Sequence, residues 1–238
     1  MSFNRPETEM VLIPGGEFYY QAFHRTREGG FVLYDEGPRN LVMNDYYMDR
    51  FEVTNADFRA FLIDSNYKPA EQHNFLCHWN QGYTHELANH PVTWVSLEDA
   101  RAYALWAGKR LPTDIEWQWA AQGEDGRPWP WGHDFNPAYC NSDSQSTTPV
   151  DTYPANLSPF GVQDLVGNVW ELIDIVLSDG WHNWCFLRGG SYYMPKGSAW
   201  YAEGGAQPVN HHHKFLLMYP GLDRCATVGF RCVKDINA

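Results

Sequence analysis

Three stretches of the chain carry residue types that could do chemistry. The first, RGGSYYMPKGSAW, covers residues 188–200 and joins a glycine turn to aromatic residues without any cysteine or histidine. The others are DLVGNVWEL, residues 164–172, and NHHH, residues 210–213. Ser191 has no evident paired base, and the chain has no nucleophile elbow, phosphate-binding loop or dinucleotide motif. These stretches fit an enzyme, an enzyme that has lost its reaction, or a binding surface.

The second stretch combines oxygen ligands with a glycine that permits a sharp turn. Asp164 and Glu171 are carboxylates, Asn168 offers an amide oxygen, and Gly167 lets backbone carbonyls converge. Calcium takes six to eight oxygens of this mixed kind. The spacing differs from an EF-hand loop, so a calcium site and a plain turn beside a buried Trp170 both remain open.

The third stretch places three imidazoles side by side at His211, His212 and His213. Side chains that follow one another in an extended segment point in alternating directions, so three neighbours rarely bind one ion. The pattern therefore favours a polar loop lining a cleft over a metal site. His182, in GWHNW, is similarly ambiguous, and a structural role is its simpler interpretation.

Aromatic residues are unusually frequent, at 16% of the chain with 11 Trp, 14 Tyr and 13 Phe. Many cluster near residues 129–131, 181–184 and 192–201. Exposed aromatic rings stack on sugars or peptides, whereas buried rings build a core. The sequence alone does not separate these two roles.

Composition and charge narrow the class of protein. With 238 residues, 44% hydrophobic and 19% charged, the chain can bury a sizeable core, and no repeat or linker divides it, so we expect one domain over residues 1–238. A net charge of −12 disfavours nucleic acid and suits cations, neutral ligands or basic peptides. Without a long apolar segment or signal-peptide core, we expect a soluble, cytoplasmic protein with no membrane contact, unless a leader was removed.

Five cysteines, widely spaced and without a CxxC pair, predict free thiols rather than a zinc site or a disulfide framework. Strands are predicted at residues 10–18 and 41–53. Three helices are predicted to begin after Thr54, Ser96 and Thr113, each of which is followed three residues later by an acid. The second half reads as short strands joined by long loops, which indicates an α+β fold.

Several phrases taken together resemble a known family: MVLIPGGEF, DRFEVTNADFRAFL, HPVTWVSLEDARAYALWAGKRLPTDIEWQWAAQG, PWPWG, FGVQDLVGNVWEL, LRGGSYY and VGFRCV. In this order they are similar to the formylglycine-generating enzymes, also called sulfatase-modifying factors. The resemblance extends from about Met10 to Val233. It implies a C-type-lectin-like α+β fold with little regular secondary structure.

The resemblance also implies calcium sites. Asp164 and Glu171 would supply side-chain oxygens, and Gly167 and Val169 would supply backbone carbonyls. A second site would begin at residues 141–142 (Asn141 and Ser142), but the loop that follows is short and its later ligands have no counterpart here.

The family reaction oxidises a substrate cysteine to formylglycine with oxygen and Cu(I), held by two enzyme cysteines five residues apart. The matching positions here are Met194 and Ala199. Cu(I) prefers soft thiolates; Met is a neutral, weaker ligand and Ala is none. We therefore predict a pseudoenzyme without copper-dependent formylglycine synthesis. Formylglycine synthesis by a displaced cysteine such as Cys185 is the least favoured possibility.

The resulting hypothesis is a calcium-stabilised, lectin-like accessory module. It would bind a peptide, glycan or protein in a cleft over residues 188–213, and the sequence predicts no oligomeric state. The candidate cleft residues are Ser191, Tyr192, Tyr193, Met194, Trp200, His211 and His213. The alternative is an oxidoreductase of altered chemistry, with iron or copper held by His211, His212 or His213 together with His182.

Overall fold

The computed structural model describes residues 8–24, 36–80, 82–195, 204–218 and 223–236. Ten strands and three α-helices lie in these ranges. The helices are α1 (Asn55–Ser65), α2 (Leu97–Trp106) and α3 (Asp114–Gln122). The strands are β1 (Met10–Ile13), β2 (Gly16–His24), β3 (Glu36–Met43), β4 (Tyr46–Asp49), β5 (Trp170–Leu172), β6 (Leu177–Ser178), β7 (Asn183–Arg188), β8 (His211–Leu217), β9 (Val228–Gly229) and β10 (Val233–Asp235).

The strands form two sheets. A small antiparallel sheet has the order β1-β4-β10, and a larger one has the order β3-β2-β8-β7-β5-β9, with β6 beside β7. In the larger sheet β8 runs parallel to β2 and antiparallel to β7. Each of the two predicted strands is in fact a pair of strands separated by a turn, because Pro14 and Asn44 interrupt the two runs.

All three predicted helices are confirmed, together with their first turns. At Thr54, Ser96 and Thr113 the hydroxyl accepts a hydrogen bond from the backbone N–H three residues on, and the acid at that position bonds back to the capping residue. Each reciprocal pair satisfies backbone donors that the first helical turn leaves open. These local contacts set where the helices begin, and that position places Asp114 at the start of α3.

Two hydrophobic clusters fill the interior. One surrounds Trp117 and Trp119 of α3 and contacts β2 at Phe18, where the ring centroids of Phe18 and Trp119 are 5.3 Å apart. The other includes Phe58 of α1 stacked on Tyr103 of α2, with ring centroids 5.8 Å apart. Helix α3 is thereby fixed against the larger sheet, whose central strands lead into the predicted cleft.

The α+β class is confirmed, but the second half of the chain is more regular than the sequence indicated. Strands β7 and β8 pair over five residues at the centre of the larger sheet. The three histidines, expected in a polar loop, lie in β8 instead. The sequence predicted a loop at these histidines because a run of polar residues is unusual in a central strand.

Among the described residues, no helix is both long and apolar enough to cross a membrane.

Candidate functional site

Two glycines end β7 and turn the chain towards the predicted cleft. Gly189 and Gly190 have φ angles of +84° and +86°, in the region that favours glycine. A Cβ on Gly189 would lie 2.4 Å from the carbonyl oxygen of Leu165, and one on Gly190 would lie 2.0 Å from that of Gly205. Only glycine lets this turn pack against both neighbouring segments.

Backbone hydrogen bonds hold the next two residues in place. Ser191 N donates to Gly205 O at 3.0 Å, and Tyr192 N donates to Asn168 O at 2.9 Å. Both side chains are buried, and burial raises the pKa of the Tyr192 hydroxyl. Ser191 and Tyr192 are therefore held in the wall of the site, and their contact with a ligand stays a prediction.

The two residues that follow reach the surface. Tyr193 is 43% exposed and Met194 is 40% exposed. Met194 packs closely on Gly205, since a Cβ added to Gly205 would lie only 2.5 Å from the methyl group of the methionine. Trp200, predicted in the cleft, and Ala199, at the second copper position, lie outside the described residues.

The five cysteines are free thiols, as the sequence predicted. Cys140, Cys185 and Cys232 are buried, and burial raises the pKa of Cys185 to about 12. A thiol with such a pKa is almost entirely protonated at neutral pH, whereas the thiolate is the form that reacts and binds metals. The environment of Cys185 therefore argues against its use as a displaced catalytic cysteine.

The histidines of β8 point to opposite faces of the sheet, as the strand period requires. His212 is buried on one face, where its ring stacks on Phe186 with centroids 4.0 Å apart. His213 faces the other side, with its ring 4.6 Å from that of Trp170. His211 is half-buried with its ring 6.0 Å from Phe23.

His213 is only 1% exposed, and neither ring nitrogen has a hydrogen-bond partner among the described residues. Burial, aided by the neighbouring imidazoles of His211 and His24, lowers the pKa of His213 to about 3. Its position inside the sheet means that a ligand would reach it only after the strand packing opened. Its role as a cleft residue stays a prediction.

The alternative metal site is not assembled. His182 lies in the exposed turn before β7, while the β7–β8 register sets His213 opposite Leu187. His182 and Leu187 are five residues apart, which corresponds to about 17 Å along an extended chain. Over the described parts of the chain, no group of three or more His, Cys, Asp or Glu side chains could hold a metal ion. His182 is therefore remote from the β8 histidines in this structure, and a metal held by His182 with His211, His212 or His213 stays a prediction.

Beneath the glycine turn lies a buried arginine with a full set of partners. Arg188 donates from Nε to Asp114 Oδ1 at 2.7 Å and from Nη2 to Asp114 Oδ2. Its remaining N–H groups bond to the carbonyl oxygens of Val209 and His211 and to the side-chain oxygen of Gln118. Burial would raise the pKa of Asp114, but Arg188 outweighs it and holds that pKa well below its usual range.

Gln118, Tyr20 and His212 complete this network, which we call the Arg188 centre (Arg188, Asp114, Gln118, Tyr20 and His212). The Tyr20 hydroxyl donates to Asp114 Oδ2 at 2.8 Å, and His212 Nδ1 lies 3.4 Å from the same oxygen. The centre thus ties α3 to β2, β7 and β8 with a single carboxylate matched to a single guanidinium.

A second buried arginine lies near the predicted calcium stretch. Arg231 donates to both carboxylate oxygens of Glu171, at 2.7 Å each, and Trp117 Nε1 donates to Glu171 Oε2 at 2.8 Å. Its other N–H groups bond to the backbone carbonyls of residues 49, 50 and 163. All five guanidinium donors are therefore used.

Two further carboxyl groups crowd this arginine, and with it and Glu171 they form the Arg231 centre (Arg231, Glu171, Glu52 and Asp164). Glu52 Oε2 lies 3.9 Å from Arg231 Nη2 and has no hydrogen-bond partner among the described residues. Burial and the nearby Asp164 raise the pKa of Glu52 well above its usual value. Burial also raises the pKa of Asp164 to about 6. One guanidinium here faces three carboxyl groups.

This geometry bears on the calcium implied by the resemblance. Both oxygens of Glu171 accept hydrogen bonds from Arg231, so a calcium ion bound by Glu171 would share or displace part of this pairing. Asp164 Oδ2 accepts from the backbone N–H of Asp151 at 3.0 Å. Gly167 does adopt the predicted turn, with φ of +83°. Calcium at Asp164, Gly167, Val169 and Glu171 stays a prediction.

The doubtful second calcium site begins at Asn141 and Ser142, and its loop closes on itself. Asn141 Oδ1 accepts from Ser144 Oγ at 2.6 Å, and Asn141 Nδ2 donates to Ser146 O at 2.9 Å. Ser142 is buried. The short loop predicted from the sequence thus satisfies its own polar groups, and calcium there also stays a prediction.

Sequence reasoning missed both arginine centres. Their signal was present, since Arg188 and Arg231 each end an apolar run, CFLR and VGFR, in which an unpaired charge could not be buried. The acids that pair with them come from distant segments, such as Asp114 and Glu52. No local spacing connects those positions.

Comparison with known proteins now gives the family. The sulfatase-modifying factor enzyme 1-like domain matches residues 1–236. The chain is 29% identical over 282 residues to the inactive C-alpha-formylglycine-generating enzyme 2 of Bos taurus, covering 96% of this chain and 89% of that protein. It is 30% identical to the serine/threonine-protein kinase Pkn1 of Chlamydia trachomatis, covering 97% of this chain and 39% of that protein.

The chain spans about half or less of the length of several curated relatives that it matches. The structure of PvdO from Pseudomonas aeruginosa superposes with a TM-score of 0.70 at 19% identity, covering 96% of this chain and 95% of that one. That likeness extends the fold to nearly the whole chain. The family match, the relatives and the shared fold agree, and the chain belongs to the sulfatase-modifying factor, or formylglycine-generating enzyme, family.

Proposed function

We propose that this chain is a binding member of its family, an accessory lectin-like module for a peptide, glycan or protein, without formylglycine-generating activity. The observation that carries this proposal is Met194. It is a partly exposed, neutral thioether at the position where the resemblance implies a copper thiolate. Cu(I) needs soft, preferably anionic sulfur ligands, and a lone thioether is a weak substitute.

The three buried thiols support the same proposal. Cys140, Cys185 and Cys232 are buried, and burial raises the pKa of each. None is in the state that binds copper or attacks a substrate. The bovine relative is named as an inactive formylglycine-generating enzyme, so loss of the reaction within this family fits the pattern.

The surface that would bind the ligand begins at Tyr193 and Met194. An exposed tyrosine stacks on a sugar or peptide and keeps its hydroxyl for a hydrogen bond. Methionine adapts its shape to irregular partners. The glycine turn before them is fixed against Leu165 and Gly205, so the two side chains extend from a rigid base. Stabilisation by calcium at Asp164, Gly167, Val169 and Glu171 is a separate prediction, and the assignment of this surface does not depend on it.

The enzymatic half of the proposal is tested with a Cys-x-Pro-x-Arg peptide, Cu(I) and an oxygen electrode. We expect no oxygen uptake and no formylglycine by mass spectrometry. The double variant Met194→Cys/Ala199→Cys restores the sulfur pair, and it should bind Cu(I) at least about tenfold more tightly than the natural chain. Turnover by the natural chain would refute the proposal.

The binding half is tested on arrays of glycans and of tagged peptides. Tyr193→Ala should abolish binding to whichever probes the natural chain retains, while Tyr19→Ala should leave it unchanged. Tyr19 is a matched control, because it is an exposed tyrosine on β2. Equal loss in both variants, or no retained probe on either array, would contradict the assignment of this surface.

A further inference from the structure

The turn between β6 and β7 holds a tryptophan out in the solvent. Trp181 is 92% exposed, the most exposed of the large hydrophobic residues that the structure describes. Asp179 fixes the turn, because its Oδ1 accepts from the N–H groups of Trp181 and His182 at 2.8 Å each. Gly180 N also donates to Ser178 Oγ at 3.1 Å. A well-bonded turn thus presents a large apolar ring that the fold itself does not use.

Beside this turn lies a cleft of about 320 Å³, within the size range of ligand pockets. Asn183, two residues after the tryptophan, lines it together with the apolar side chains of Val176, Leu217 and Met218. Val176 and Met218 are themselves exposed. Apolar surface therefore continues from the edge of β6 across the end of β8, rimmed by polar residues, which is typical of an interaction site.

The charges of the cleft are unbalanced towards the acidic side. Its two arginines are engaged by acids outside the lining: Arg224 Nε donates to Asp99 at 2.8 Å, and Arg101 Nε donates to Asp174 at 2.8 Å. Arg224 is also buried, with its Nη1 bonded to two backbone carbonyls.

The acids of the lining include Glu98 and Asp223. Glu98 is exposed, and Asp223 is buried at the cleft wall. Together with the overall net charge of −12, they favour a cationic ligand over an anionic or neutral one. Repulsion between two chains of this charge also disfavours a second copy as the occupant.

A basic side chain with an apolar stem meets both requirements. Arginine lies flat on tryptophan, where its cation interacts with the ring, and it pairs with carboxylates through a planar fork of donors. Its methylene stem packs on apolar surface. The groups available to an arginine here are the ring of Trp181, the apolar residues Val176 and Met218, and the acids Glu98 and Asp223.

This surface is separate from the one at Tyr193 and Met194. Asn183 begins β7 and Arg188 ends it, so the two regions are at opposite ends of a strand about 17 Å long. We propose that Trp181 and the adjoining acidic cleft form a docking surface for an arginine-bearing segment of a partner protein. This proposal does not depend on the function assigned to the first surface.

The test uses a fluorescein-labelled peptide of alternating arginine and leucine, with a peptide of alternating glutamate and leucine as its counterpart, and fluorescence anisotropy as the readout. The arginine peptide should bind and the glutamate peptide should not. Trp181→Ala and Glu98→Lys should each weaken binding at least about tenfold. Thermal melting should show that both variants remain folded.

Two control variants distinguish binding at this surface from nonspecific electrostatic attraction between the cationic peptide and the acidic protein. Tyr19→Ala removes an exposed aromatic ring elsewhere, and Glu124→Lys makes the same charge change at another exposed acid. Both should change the affinity less than about twofold. An equal loss in Glu98→Lys and Glu124→Lys, no loss in Trp181→Ala, or no binding of the arginine peptide would each overturn the proposal. Self-association of the natural chain that Trp181→Ala abolishes would overturn it as well, by making a second copy the occupant.

Discussion

Two fully buried arginines, Arg188 and Arg231, have nearly the same local chemistry and opposite surroundings. Arg188 and Arg231 are both fully buried, both use all five guanidinium donors, and both hold one carboxylate through two hydrogen bonds. Around the first pair the chain places neutral groups such as Tyr20 and Gln118. Around the second it adds two more acids.

This difference decides what each centre can tolerate. The Arg188 centre is balanced, and its carboxylate Asp114 has a pKa held well below the usual range after Arg188 outweighs the effect of burial. The Arg231 centre has an excess of acid, so burial and Asp164 raise the pKa of Glu52 well above its usual value. A buried arginine therefore indicates little by itself about stability. The groups that distant segments bring to it decide whether its pairing stabilises the fold.

The largest expected effect comes from removing the arginine of the acid-rich centre. Arg231→Met should lower the free energy of unfolding by about 5 kcal/mol, because it leaves three carboxyl groups buried without a cation. Arg188→Met leaves only Asp114, so we expect a smaller loss of about 3 kcal/mol. Urea denaturation of the two variants measures both. An equal or larger loss in Arg188→Met would break the comparison.

Neutralising one acid in each centre should have effects of opposite sign. Glu52→Gln should raise the free energy of unfolding at pH 7.5 by about 1–2 kcal/mol, because burial raises the pKa of Glu52, and folding must then either protonate this carboxyl or bury its charge, whereas a neutral amide avoids both costs. Asp114→Asn should lower it, because that carboxylate balances Arg188. Loss of stability in both variants would show that Glu52 is ionised and satisfied in the folded protein.

The buried ring of His213, on the face of β8 opposite His212, should make the protein sensitive to acid. Burial, then His211, lowers the pKa of His213 from 6.5 to about 3, so the folded state favours the neutral ring. The unfolded state binds a proton below pH 6.5, and the stability from His213 is therefore lost as the pH falls from about 6.5 towards 3. Between pH 6.5 and 4.5 this amounts to about 2 kcal/mol.

Urea denaturation of His213→Leu across this range measures the effect. The variant should lose less stability on acidification than the natural chain, and the gap should widen as the pH falls. His182→Leu is the matched control, because His182 is exposed in the β6–β7 turn and should behave like the natural chain. Parallel pH profiles for the natural chain and His213→Leu would rule out the neutral buried ring.

The smallest effect concerns calcium at the acid-rich centre. Because Glu171 is engaged by Arg231, exchanging calcium for EDTA should move the melting temperature by less than about 2 °C, equivalent to less than about 1 kcal/mol. Differential scanning calorimetry in the two buffers measures the shift. A shift of several degrees that Asp164→Asn removes would show that calcium displaces part of the Arg231 network.

Much of the architecture follows from local sequence. The three capping boxes at Thr54, Ser96 and Thr113 predicted where the helices begin, because hydroxyl and acid three residues apart satisfy backbone groups of the same turn. The glycine pair 189–190 predicted a tight turn for the same local reason. The family phrases, which lie in order along most of the chain, predicted the fold class.

The sequence by itself determined the helix starts, the turn, the absence of the copper thiolates at Met194 and Ala199, and the excess of negative charge. Only the tertiary structure decided that the three histidines lie in a central strand, that Glu171 holds Arg231, and that Trp181 extends into solvent. The physical reason is the separation in sequence between the residues that make each contact. Caps and turns are closed by neighbours in sequence, whereas strand pairing and buried charge depend on segments that meet only when the chain folds.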